Sequence, residues 1–95
     1  MRQFETIELN PDMIIFLKEY SPEKKHITSR KEIRLIEDKL NIAKYSNNLR
    51  ALRNSVVQLY DELINEDPTN RNKVYDYMES MMSVTAVIDN YTYKF

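Results

Sequence analysis

Glycine is absent from this 95-residue chain, where average usage is about 7%. Loops that cradle phosphates in the Walker or dinucleotide-binding manner need backbone without a Cβ beside the phosphates, so that chemistry is excluded. Cysteine is also absent, which removes disulfides, thiolate zinc sites and thiol nucleophiles. A single histidine, His26, leaves no second imidazole for a catalytic pair or a metal cluster, and in a polar stretch it reads as a surface residue. No apolar run approaches the roughly 18 residues of a membrane span. The opening, MRQFETIELN, carries acids where a secretory signal would be apolar. The expectation is a non-enzymatic chain with no cofactor, metal, small-molecule substrate or membrane contact, residing in the cytoplasm.

What is present is ordinary globular material: 42% hydrophobic, 31% charged and 11% aromatic residues. A chain of 11.4 kDa makes a single domain that buries roughly two-thirds of its unfolded surface, enough for one modest core. Isoleucine, asparagine, lysine and tyrosine together supply 33 of the 95 residues. These are the residues favoured by A+T-rich coding sequence, which points to a phage or other mobile element and so to a host cytoplasm.

Residues 1–9 read as an arm. Asn10-Pro11-Asp12 starts a helix over 10–20, with a side-chain acceptor at the cap, proline at the first helical position and an acid in the first turn. Pro22 ends it by excluding helical geometry at the residue before. A polar connector follows over 21–28. Ser29 and Glu32 form a capping box, and from there a helical pattern runs without proline to Glu66. Leu35, Ile42, Leu49, Val56 and Leu63 recur every seven residues on one stripe. As one element, residues 30–65 make a rod of about 54 Å at 1.5 Å per residue. Asp67-Pro68 then breaks the pattern and a last helix spans 69–90, with an aromatic tail over 91–95. The fold class expected is all-α: a short N-terminal helix plus a long antiparallel helical hairpin, completed into a bundle by self-association.

The last helix carries the strongest apolar signal. Val74, Tyr77, Met81, Val84, Ile88 and Tyr91 are spaced 3, 4, 3, 4 and 3, the pattern of a helix seam. Met78, Met82, Thr85 and Val87 broaden it, and Tyr75, Tyr93 and Phe95 add aromatic surface. Three of the five methionines fall in one turn, and methionine-rich surfaces adapt to partners. Tyr77, Met78, Met81, Met82, Val84, Ile88 and Tyr91 are therefore the candidate surface for a protein partner or a second copy.

Charge is uneven. Residues 18–53 hold ten Lys and Arg against five acids, whereas residues 54–95 hold three against seven. Lys24, Lys25, Arg30, Lys31 and Arg34 gather around a helix start, a place suited to an anion, and Lys44 is a further candidate for contact with nucleic acid. The middle of the chain admits a second reading on this account. If the 29–66 helix is broken near 41–46, with Asn41 in the left-handed conformation and Ser46 capping the next helix, residues 31–54 resemble a helix-turn-helix. Asn47, Arg50, Arg53 and Asn54 would then face a DNA groove. The leading expectation remains a protein-binding module acting as an inhibitor, adaptor or assembly component. A small DNA-binding regulator is the alternative.

Overall fold

A computed structural model describes residues 5–22 and 29–92 of the chain. They form four α-helices, with no strand among the described residues: α1 (Pro11–Glu19), α2 (Arg30–Leu40), α3 (Leu49–Glu66) and α4 (Arg71–Thr92). Each starts on a side-chain acceptor that relieves a free N–H of the first turn. Asn10 Oδ1 accepts from the Met13 amide at 2.9 Å, and Ser29 Oγ from Glu32 at 3.2 Å. Asn48 Oδ1 accepts from Ala51 at 3.4 Å, and Asn70 Oδ1 from Lys73 at 3.3 Å.

Residues 29–66 are not one rod. The first half stops at Asn41, whose backbone is left-handed at φ 51°, ψ 51°. The Asn41 amide donates to the Asp38 carbonyl and the Ile42 amide to the Glu37 carbonyl, both at 3.1 Å. That is the paired termination usually built on glycine. Asparagine serves here because its short polar side chain tolerates the left-handed region better than other residues carrying a Cβ. Ile42, the residue after the turn, is fully buried in the same core as Ile36, so burial reinforces the break. A run of three-residue hydrogen bonds from Lys44 to Asn48 follows, including the 3-10 turn Ser46–Asn48. Ser46 therefore does not cap α3; Asn48 does. Leu35, placed on the heptad stripe by its spacing, is 41% exposed because the stripe is interrupted after it.

The packing depends on this turn. α4 runs back along α3, with Arg53 near the start of α3 paired to Asp89 near the end of α4, and Tyr60 beside Tyr77. α2 leaves α3 and packs on α4 and α1. One core joins all four helices through Met13, Leu17, Ile36, Leu40, Leu52, Val56, Tyr60, Val84 and Ile88. The end of α1 is held by two hydroxyls. Tyr60 Oη donates to the Leu17 carbonyl at 2.7 Å and Ser80 Oγ to the Tyr20 carbonyl at 2.9 Å. Carbonyls at a helix end lack partners of their own, and here side chains of α3 and α4 supply them. Burial pushes the Tyr60 phenol well above its ordinary value, with the neighbouring Tyr20 and Tyr77 phenols adding to the effect.

Two outcomes are expected. Asn41→Gly should leave stability equal or slightly raised, whereas Asn41→Ala should cost about 1–2 kcal/mol in urea unfolding, because alanine resists the left-handed backbone. Tyr60→Phe should cost about 1–3 kcal/mol at neutral pH by leaving the Leu17 carbonyl without its donor. The same variant should unfold less steeply in alkali. In the wild type the unfolded Tyr60 ionises near the ordinary value of 10.0 and the folded one above it. The Tyr60 contribution is therefore complete below about pH 10 and is lost as pH rises further. Urea midpoints measured across this pH range for both proteins check the difference.

Candidate functional site

The expected seam of α4 turns inward. Val84 and Ile88 are completely buried, and Tyr77, Met81 and Tyr91 are half-buried against the core. Val84 and Ile88 thus belong to the interior and not to a partner surface, because α3 and α2 already cover the 3,4-spaced stripe. The outward side of α4 carries a different set. Tyr75 is 63% exposed, Met78 42% and Met82 66%. They are three of the five large hydrophobic side chains exposed among the described residues, the others being Ile15 and Leu35. Their spacing of 3 and 4 places them on one stripe, and exposed Ala86 extends it by another turn. Tyr75 stands apart from the seam in sequence, and the signal that finds it is this second 3,4 spacing on the far side of the helix.

The polar candidates scatter. Lys24 and Lys25 lie outside the described residues, as does His26. Arg30, Lys31, Arg34, Lys44, Asn47 and Arg50 are exposed. Lys44 Nζ sits 5.6 Å from the centre of the Tyr45 ring. Arg53 Nε donates to Asp89 Oδ1 at 2.9 Å, tying α3 to α4. Asn54 is half-buried, and its Nδ2 is engaged as a donor to the Glu5 carbonyl at 2.9 Å. Asn48 Nδ2 reaches the Glu5 carboxylate at 3.2 Å. The start of α3 therefore uses its polar side chains to hold the N-terminal arm.

Ser55 completes that attachment. The Ile7 amide donates to Ser55 Oγ, and Ser55 Oγ donates in turn to the Ile7 carbonyl, each at 2.8 Å. One buried hydroxyl thus satisfies both backbone groups of a residue outside any helix, while Ile7 and Leu9 pack against the core. Between this arm, the start of α1 and α3 lies an open cleft of about 190 Å³ lined by Ile7, Leu9, Ile14, Gln58, Leu59 and Glu62, with Ser55 at its wall. Glu62 is the one carboxyl in the lining, so no acid–base pair faces the cleft. Asp61, Glu62, Glu66 and Asp67 are exposed at the end of α3. Among the described residues no group of three or more His, Cys, Asp or Glu is placed to hold a metal ion. No helix among them is long and apolar enough to cross a membrane.

Removing the Ser55 hydroxyl should release the arm with little effect on the helices. Ser55→Ala is expected to lower global stability by about 1–2 kcal/mol. Amide exchange at Ile7 should accelerate far more than exchange in α3 and α4. Unchanged protection at Ile7 would mean that apolar packing of Ile7 and Leu9 holds the arm by itself.

Comparison of the chain with protein-family models, with curated proteins and with solved structures found no match.

Proposed function

We propose that this chain is a non-enzymatic protein-binding module, an inhibitor, adaptor or assembly component, whose docking face is the outward side of α4. The observation that carries this reading is the exposure of Tyr75, Met78 and Met82 on one stripe of a helix whose opposite stripe already fills the core. Exposed aliphatic and aromatic side chains scattered singly are normal on a small protein; a contiguous set on a rigid helix is the usual signature of a contact surface. Two methionines beside a tyrosine suit such a role, because thioether chains repack against an imperfect partner and the phenol combines apolar area with a polar tip.

The DNA-binding alternative is less well supported. A helix-turn-helix needs its two helices packed together across a turn of about three or four residues, whereas α2 packs on α4 and α1 and the link to α3 runs over residues 41–48. Of the side chains proposed to read bases, Arg53 is paired with Asp89 and Asn54 holds the arm, leaving Asn47 and Arg50 exposed.

A photo-cross-linking residue in place of Met82, in cells that produce the chain, tests the reading. Covalent protein adducts are expected there and not with the same probe in place of exposed Lys39. Duplex DNA should bind weakly or not at all at low salt. Absence of adducts at position 82, together with duplex binding that falls steeply with salt and is lost in an Arg50→Ala, Arg53→Ala double variant of unchanged helicity, would overturn the proposal in favour of nucleic acid.

A further inference from the structure

The outward side of α4 holds more than its apolar stripe. Arg71 stands in the first turn and Asp89 near the end, and successive positions 71, 75, 78, 82, 86 and 89 keep 3 or 4 residue spacing, so all six share one face. Arg71, Tyr75, Met78, Met82 and Ala86 are exposed, and the Asp89 side chain is 41% exposed. The order is a cation at one end, apolar side chains in the middle and an anion at the other end. A face of this kind is complementary to itself reversed. It meets like charge when laid parallel to a copy and opposite charge when laid antiparallel.

We propose that the occupant of this face is α4 of a second copy of the chain, packed antiparallel about a two-fold axis level with residue 80. This rests on the reading of the face as a docking surface and names its partner. In that register Met78 lies opposite Met82 of the partner subunit, Arg71 opposite Asp89 of the partner subunit, and Tyr75 beside Ala86 of the partner subunit. The small alanine leaves room for the phenol ring. Asp89 can serve both contacts, since Arg53 occupies only its Oδ1 and a carboxylate has a second acceptor oxygen. Glu79, level with the axis and at the rim of the face, is half-buried and already interacts within its own chain. A two-fold contact is the commonest closed arrangement for identical chains, and each residue of the pair is used twice. A contact limited to one helix face is small beside stable interfaces, so the dimer is expected to dissociate on dilution.

The absence of cysteine allows a direct test of register in the full chain. A Tyr75→Cys chain and an Ala86→Cys chain are mixed at concentrations above the dissociation constant and treated with a thiol cross-linker reaching about 8–10 Å, the separation of packed helix axes. In the antiparallel register the two thiols of a mixed pair are level, whereas two copies of either variant hold theirs about 15–18 Å apart along the helix. The expected result is that mixed dimers form at least about tenfold faster than either like pair. Sedimentation of the unmodified chain should show a species of twice 11.4 kDa as concentration rises. Met82→Glu, at a residue 66% exposed, should weaken it about tenfold or more while circular dichroism stays the same. Three results overturn the inference: a monomer throughout, cross-linking with no preference for the mixed pair, or a dimer indifferent to Met82→Glu. A monomer whose position 82 still captures a different protein in cells refutes the second copy while leaving the docking face standing. Capture of nothing there removes both.

Discussion

The backbone of Asn41 decides how the rest of the chain can fold. With it helical, the apolar pattern from Leu35 through Ile42, Leu49, Val56 and Leu63 would continue along one rod, and a rod exposes its stripe over its whole length unless another chain covers it. With Asn41 left-handed, α2 swings off the line of α3 and reaches α4 and α1. Ile36, Leu40, Ile42, Leu49 and Leu52 then share one interior. In a sequence without glycine, asparagine is the residue best able to make that turn with two carbonyls of the preceding helix satisfied. The conformational cost is of order 1 kcal/mol. Burial of Ile42 immediately afterwards offsets it, a buried isoleucine being worth about 1.5–3 kcal/mol.

The turn leaves segments that a continuous helix would not have to anchor, and hydroxyl groups anchor them. Tyr60 and Ser80 take the carbonyls of Leu17 and Tyr20 at the end of α1, and Ser55 takes both backbone groups of Ile7. Each joins positions 43 to 60 residues apart in sequence. In a small chain with no disulfide these are fixed points between elements, and each satisfies a buried or part-buried backbone group that would cost as much unsatisfied as the bond gains. The asparagines and arginine at the start of α3, whose composition suits a DNA groove, anchor segments in the same way. Asn48 and Asn54 hold Glu5, and Arg53 holds Asp89. Part of the positive charge of the middle of the chain is thereby matched to the negative charge of its end.

The helix starts were legible because capping is local chemistry. Asn10-Pro11-Asp12 and Ser29 announce their helices within four residues, and the structure uses Asn10 and Ser29 as caps. The stripe of Tyr77, Met81, Val84 and Ile88 in α4 was legible as a repeat at the helical period, but not its direction: read as a partner surface, it proves to carry Val84 and Ile88 into the core. The break at Asn41 was legible only as an alternative, because the modest left-handed preference of asparagine competed with a heptad pattern that runs straight through it. Ser46 was a plausible cap by composition, yet the chain spends residues 42–48 in three-residue turns and starts α3 from Asn48 instead. The anchoring hydroxyls were not legible at all. A serine bonded to a residue 48 positions away leaves no periodicity or spacing in the sequence.

Which apolar residues of α4 remain outside could likewise not be read from hydrophobicity. Met78 and Met82 are neighbours of Met81 in sequence and identical to it in chemistry, but only Met81 faces the core. The distinction is set by where α3 and α2 lie, and that in turn depends on the turn at Asn41. Once α2 is displaced onto α4, the inward side of that helix is fully occupied and its far side, with Tyr75 and two methionines between Arg71 and Asp89, has no covering element among the described residues of its own chain. Folding alone does not require apolar side chains there; lysine or glutamate would suit an exposed helix face as well and would keep it from associating.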